Sequence, residues 1–140
     1  MKMKEREVLE HCRELNGMGH LVLPSKLSFA ISCNLEKLTR EADRVEKERT
    51  KLCRRYADKG EDGDPVTVDS VSNGEVSKEY KMTKENRELF GKEYDAVLDT
   101  EIEIEIRSVK MEEVERCEAA ERYSIPTVAQ IRSLSFMLEM

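Results

Sequence analysis

The stretch Ser25–Tyr56, SKLSFAISCNLEKLTREADRVEKERTKLCRRY, decides the fold. Leu27, Ile31, Leu35, Leu38, Ala42, Val45, Arg49, Leu52 and Tyr56 follow one another at steps of three or four. That spacing is an apolar seam on one face of a single helix, broken once by a guanidinium. No proline or glycine interrupts it. At ~1.5 Å per residue the helix is roughly 48 Å long. A compact globule of this chain length has a radius of gyration of only about 14 Å. The part of the seam formed by Leu38, Ala42, Val45, Arg49, Leu52 and Tyr56 is therefore expected to overhang the globule and pack on a second copy, making a homo-oligomer. Arg49 is expected either at the rim of that seam or paired inside it with Glu101 or Glu105, since a buried unpaired charge is costly.

Outward from this helix the signals are shorter. Before it, Val8, Leu9, Cys12 and Leu15 mark a helix that Gly17 and Gly19 end, and His20–Pro24 reads as an extended bridge. After it, DKGEDGDPVTVD (58–69) carries acids or glycines at several calcium-loop positions. Gly60 stands where a ligand belongs, however, and Pro65 lies inside, so an acidic turn is the expectation. Asn73-Gly74 is a two-residue hairpin turn. It sets a hairpin over 65–82 with Val71 opposite Val76, Asp69 opposite Lys78 and Thr67 opposite Tyr80, on a face expected to be buried.

Thr83 caps a helix over 84–98 with Leu89, Phe90, Tyr94, Val97 and Leu98 on one stripe. EIEIEIR, over 101–107, alternates as a half-buried strand with Ile102, Ile104 and Ile106 inward. It is expected as the third strand beside the hairpin. A helix is expected over 111–122, and an apolar helix over 126–139. The fold class is α+β in one domain, 1–140.

Composition bounds the function. The 140 residues carry a net charge of -6, 39% charged residues and no Trp. An acidic balance argues against a general nucleic-acid binder. Cys12, Cys33, Cys53 and Cys117 are scattered, without a CxxC pair or neighbouring histidine ligands, and read as reduced buried thiols of a cytosolic protein. No catalytic motif, metal set or cofactor loop is legible, so the sequence points to no enzyme and no cofactor.

Two charged features remain. Arg40, Arg44, Lys47, Lys51 and Arg54 form a basic stripe on the back of the long helix. Glu101, Glu103 and Glu105 share one strand face. Each is either a solvated surface or a docking strip for a protein partner, and the basic stripe also suits a small anionic ligand.

The order LPSKLSFAISCNLEKL, RRYADKGEDGDPV, a helix, EIEIEI and QIRSLSFMLE resembles a family of small uncharacterised proteins of phages and prophages. The similarity runs from Leu23 onward. The NGEVSKEYKM arm and the KMEEVERCEAAER helix are longer than that family's. The resemblance implies a viral accessory protein in the host cytoplasm and assigns no activity. The expected function is stoichiometric binding that inhibits a host defence protein. The alternatives are a virion or tail-assembly protein or chaperone, and an oligomeric sponge for a nucleotide-like anion.

Overall fold

A computed structural model describes residues 1–139. The architecture is α+β, as expected. The elements are β1 (Lys2–Lys4), α1 (Glu5–Asn16), α2 (Ser25–Tyr56), β2 (Thr67–Ser72), β3 (Glu75–Tyr80), α3 (Lys84–Leu98), β4 (Glu101–Glu103), β5 (Val109–Lys110), α4 (Met111–Glu115), α5 (Val128–Leu134) and β6 (Leu138–Glu139). Single 3-10 turns, Arg116–Glu118 and Ser135–Met137, follow α4 and α5. No helix among the described residues is long and apolar enough to cross a membrane.

The chain divides into two compact units, Met1–Asp43 with everything from Glu101 onward, and Arg44–Thr100. In the first unit the N-terminal part of α2 buries Leu27, Ala30, Ile31 and Leu38 among Val8, Leu15, Ile104, Leu134 and Met137. His11 of α1 stacks on Phe136 with ring centroids 3.9 Å apart. The bridge before α2 is fastened by Ser124, whose N–H donates to the Val22 carbonyl at 2.7 Å and whose Oγ accepts from Val22 N at 2.9 Å.

One buried polar side chain organises this core. Asn34 is fully buried. Its Oδ1 accepts from Arg107 N at 2.7 Å, and its Nδ2 donates to the Arg107 carbonyl at 2.9 Å. The same Nδ2 lies 3.5 Å from Met137 Sδ. The amide thus does for the chain after β4 what a neighbouring strand would do, satisfying backbone groups that would otherwise be costly to bury.

Several expectations are corrected. The strand at Glu101 does not join the hairpin. It pairs antiparallel with β1, with Lys2 opposite Glu103, Met3 opposite Ile102 and Lys4 opposite Glu101. Charge and apolar alternation match on both faces of that pair, which is why it forms. It is also shorter than expected, and Ile104 (buried) and the half-buried Ile106 follow it outside the strand. The helix expected over 111–122 ends at Glu115 and gives way to a 3-10 turn. The helix expected over 126–139 spans only Val128–Leu134; Thr127 caps it by accepting from Gln130 N, and Leu138–Glu139 form β6, parallel to β5.

The seam on α2 is also corrected. The helix is continuous over all 32 residues. Leu38, Val45 and Leu52 are nonetheless at most 4% exposed within the single chain. Residues folded back around the helix cover its apolar edge, so that edge is core and not an overhanging interface. Ala42 and Tyr56 are half-buried.

In the second unit the buried apolar residues are few: Val45, Leu52, Cys53, Ala57 and Leu98. Helix α3 starts at Thr83, whose hydroxyl accepts from Asn86 N at 3.1 Å. It is tied to the end of α2 by Asn86 Nδ2 donating to the Tyr56 carbonyl at 3.2 Å, and by Arg55–Glu93 at 3.3 Å. The hairpin forms in the expected register, Thr67 with Tyr80, Asp69 with Lys78 and Val71 with Val76. Asn73 and Gly74 both adopt positive φ, 52° and 81°, as the tight turn requires.

Candidate functional site

The hairpin is one feature that the rest of the described chain leaves uncovered. Its root is anchored. Asp58 N donates to the Lys81 carbonyl at 2.7 Å, Val66 N to the Asp58 carbonyl at 2.8 Å, and Lys81 N to the Val66 carbonyl at 2.9 Å. The acidic turn below it closes on itself, with Gly60 N donating to the Asp64 carbonyl at 2.9 Å and Asp64 N to Asp62 Oδ1 at 3.1 Å. Among the described residues no three His, Cys, Asp or Glu side chains converge as a metal site would need.

Beyond the root, both faces meet solvent. Val71 is 71% exposed and Val76 66%, where the sequence suggested a buried face. Among the described residues no third strand pairs with the hairpin; the strand expected there is taken by β1. Val68 on the opposite face is exposed as well. Two β-strands with no layer against them are marginal in water. An exposed cross-strand pair of β-branched residues is the kind of apolar surface that a partner covers.

The charge around this surface is one-sided. Residues 58–82 hold seven acids (Asp58, Glu61, Asp62, Asp64, Asp69, Glu75, Glu79) against three lysines (Lys59, Lys78, Lys81), a net of -4 out of -6 for the chain.

At the root, a cleft of about 250 Å³ lies among Arg49 and Cys53 of α2, Lys78 and Tyr80 of β3, and Arg87 and Phe90 of α3. Phe90 stacks on Tyr94 at 5.7 Å. Arg49 is half-buried. It forks onto Glu46, one turn back, with Nε and Nη2 at 3.0 and 2.8 Å from the two carboxylate oxygens. The hydrogen bonds raise the guanidinium pKa and lower that of Glu46. Arg49 Nη1 also stands 3.7 Å from Cys53 Sγ. Burial raises the Cys53 thiol more than the adjacent cation lowers it. Cys53 is a buried packing residue whose thiol is held above its ordinary range by burial.

The charged strips read from the sequence are placed differently from one another. Arg40, Arg44, Lys47, Lys51 and Arg54 are all exposed on α2. Within the stripe, Arg40 is held by Glu36 at 2.5 Å and Lys51 by Glu48 at 3.7 Å. Glu101, Glu103 and Glu105 are exposed too. Glu101 and Glu103 face Lys4 and Lys2 across the β1–β4 ladder, and the Met1 ammonium sits 2.8 Å from Glu103, lowering its pKa through that hydrogen bond. The acidic strip thus has counter-charges within its own chain. Arg49 apart, none of these residues lies at the cleft or the hairpin face. Sequence reasoning missed the hairpin as a surface because Val71 and Val76 look like core. The acid excess of 58–82 was the available signal.

The first unit has a depression of its own, about 430 Å³ and largely apolar, between Met111, Val128, Ile131 and Leu138.

No family model matches this chain, no curated protein matches it in sequence, and no solved structure matches it in fold.

Proposed function

We propose that this protein acts without catalysis, by binding stoichiometrically to a protein partner through the β2–β3 hairpin. The observation that supports this is the exposed Val71–Val76 pair on a hairpin without a covering layer. The net of -4 over residues 58–82 selects a basic partner surface, on which the valines supply apolar contact and the acids supply steering and orientation. The viral resemblance makes a host protein the partner, inhibited by occupancy of its basic site.

The test is co-purification of the tagged chain from host-cell extract, comparing wild type with Val71→Lys/Val76→Lys. The expected result is one partner species at a fixed molar ratio. Raising the salt weakens the complex, and the double variant loses it while keeping its helical circular dichroism. Retention of the partner by the double variant would overturn the reading.

A second reading rests on the cleft at the hairpin root. Lys78 and Arg87 are cationic and lie beside Tyr80 and Phe90, a combination that suits a small anion with a flat apolar body. Its mark is a rise in melting temperature on adding a nucleotide, abolished by Arg87→Ala.

A further inference from the structure

The two long edges of the hairpin differ. β2, TVDSVS, has one charged residue in six, whereas β3, EVSKEY, has Glu75, Lys78 and Glu79. Charges on an edge strand discourage pairing with another chain, and their scarcity leaves the edge open. Lys78, Glu79 and Tyr80 of β3 also line the cleft against α2 and α3, which makes β2 the outer strand. The hydrogen-bond parity is fixed. Lys81 N donates to the Val66 carbonyl, and Ser72 faces Glu75 across the turn. Even-numbered positions of β2 therefore turn their backbone groups toward β3, and the amides and carbonyls of Thr67, Asp69 and Val71 point off the open edge.

We infer that this edge pairs with the same edge of a second copy, antiparallel about a two-fold axis at Ser70, joining two hairpins into one four-stranded sheet. Parity allows only registers in which outward-pointing residues oppose one another. Of these, two overlap the strands most. One places Asp69 directly against Asp69 of the second copy, a like-charge pair that disfavours it. The other places Ser70 against Ser70 and Asp69 against Val71 in both directions, for about four backbone hydrogen bonds between chains. In that arrangement Asp69 keeps Lys78 as its neighbour across the hairpin, and a serine row, Ser77–Ser70–Ser70–Ser77, crosses the centre of one face. A two-stranded sheet that is marginal alone becomes four-stranded. The Val71–Val76 faces stay open, so the dimer presents the proposed binding surface twice.

The experiment uses the full chain in a Cys33→Ser background. Ser70 lies at a non-hydrogen-bonded position of the proposed interchain ladder, where Cα atoms approach to about 4.5 Å, within disulfide reach. Ser70→Cys should oxidise to a covalent dimer, whereas Ser72→Cys, far from its own copy in this register, should not. Light scattering with size exclusion should give about twice the 16.2 kDa of one chain for wild type. Ser70→Lys, which sets two cations against each other on the axis, should halve that mass with circular dichroism unchanged. A wild-type monomer at a few hundred micromolar, or equal crosslinking from both cysteine variants, overturns the inference. Val71→Lys sets its cation opposite Asp69 of the second copy and leaves the dimer intact. Failure of dimerisation and failure of partner binding are therefore read separately.

Discussion

Asn34 is the residue whose loss the first unit should feel most. Replacing it with Ala removes both hydrogen bonds to Arg107 and leaves that residue's N–H and carbonyl without partners beside a fully buried position. Each orphaned backbone group costs about 1–3 kcal/mol. Asn34→Ala should therefore destabilise by roughly 2–4 kcal/mol, about 8–15 °C in melting temperature for a chain of this size. Asn34→Asp gives a sharper test. At neutral pH the new carboxylate still accepts from Arg107 N but has no proton for the Arg107 carbonyl, and it is a buried charge. Once protonated, it offers one acceptor and one donor in nearly the amide's geometry. Burial raises its folded pKa above the unfolded ~3.9. The sign follows. Stability is highest below the unfolded value and is lost as pH rises through the folded one. Chemical denaturation from pH 4.5 to 7.5 should show Asn34→Asp below Asn34→Ala at neutrality and rising toward wild type in acid. An Asn34→Ala variant within about 0.5 kcal/mol of wild type would refute the role given to this side chain.

The remaining expectations concern the helix, the thiols and the seam. The Arg49–Glu46 fork is partly exposed and worth less than about 1 kcal/mol. Because Glu46's folded pKa is lowered, that contribution is present above its unfolded value near 4.5 and fades as pH falls further. Glu46→Gln should therefore fall slightly below wild type at pH 7 by thermal denaturation, with the gap closing as the pH is lowered into the acid range. Cys33, the half-buried thiol, should react first with a disulfide reagent under native conditions, ahead of the buried Cys12, Cys53 and Cys117; fast labelling of all four would contradict their placement. Leu38→Ala should cost about 2–5 kcal/mol in a denaturant titration as a cavity at a fully buried site, against near neutrality for the exposed Lys47→Ala.

What was legible in the sequence was local. The three-four seam dictates α2 from Ser25 to Tyr56, and Asn73-Gly74 fixes the hairpin register to the residue, because each signal is complete within its own segment. What was not legible depends on distant chain. Glu101–Glu103 finds Lys2–Lys4 about a hundred residues away. MKMK against EIEIEI matches in charge and alternation, but the hairpin offered a nearer partner. The cover over Val45 and Leu52 is likewise tertiary, since a seam looks the same whether a second copy or the returning chain buries it. At the C-terminus, Ile131, Leu134, Met137 and Leu138 fit helical spacing, yet the last turn tightens and β6 pairs with β5. Of the candidate site, the acidic turn and the hairpin register were readable, whereas the exposure of Val71 and Val76 followed from where the third strand went.

The proposal that the hairpin face is the contact surface is tested most directly by site-specific photocrosslinking in living cells that express the chain. A benzophenone amino acid would be placed in turn at Val71, at Lys47 on the basic stripe and at Glu101 on the acidic strand. The account predicts from Val71 one discrete product that contains a second, different protein, separate from any crosslinked pair of this chain, and no such product from the other two. A product from Lys47 or Glu101 with Val71 silent would contradict it.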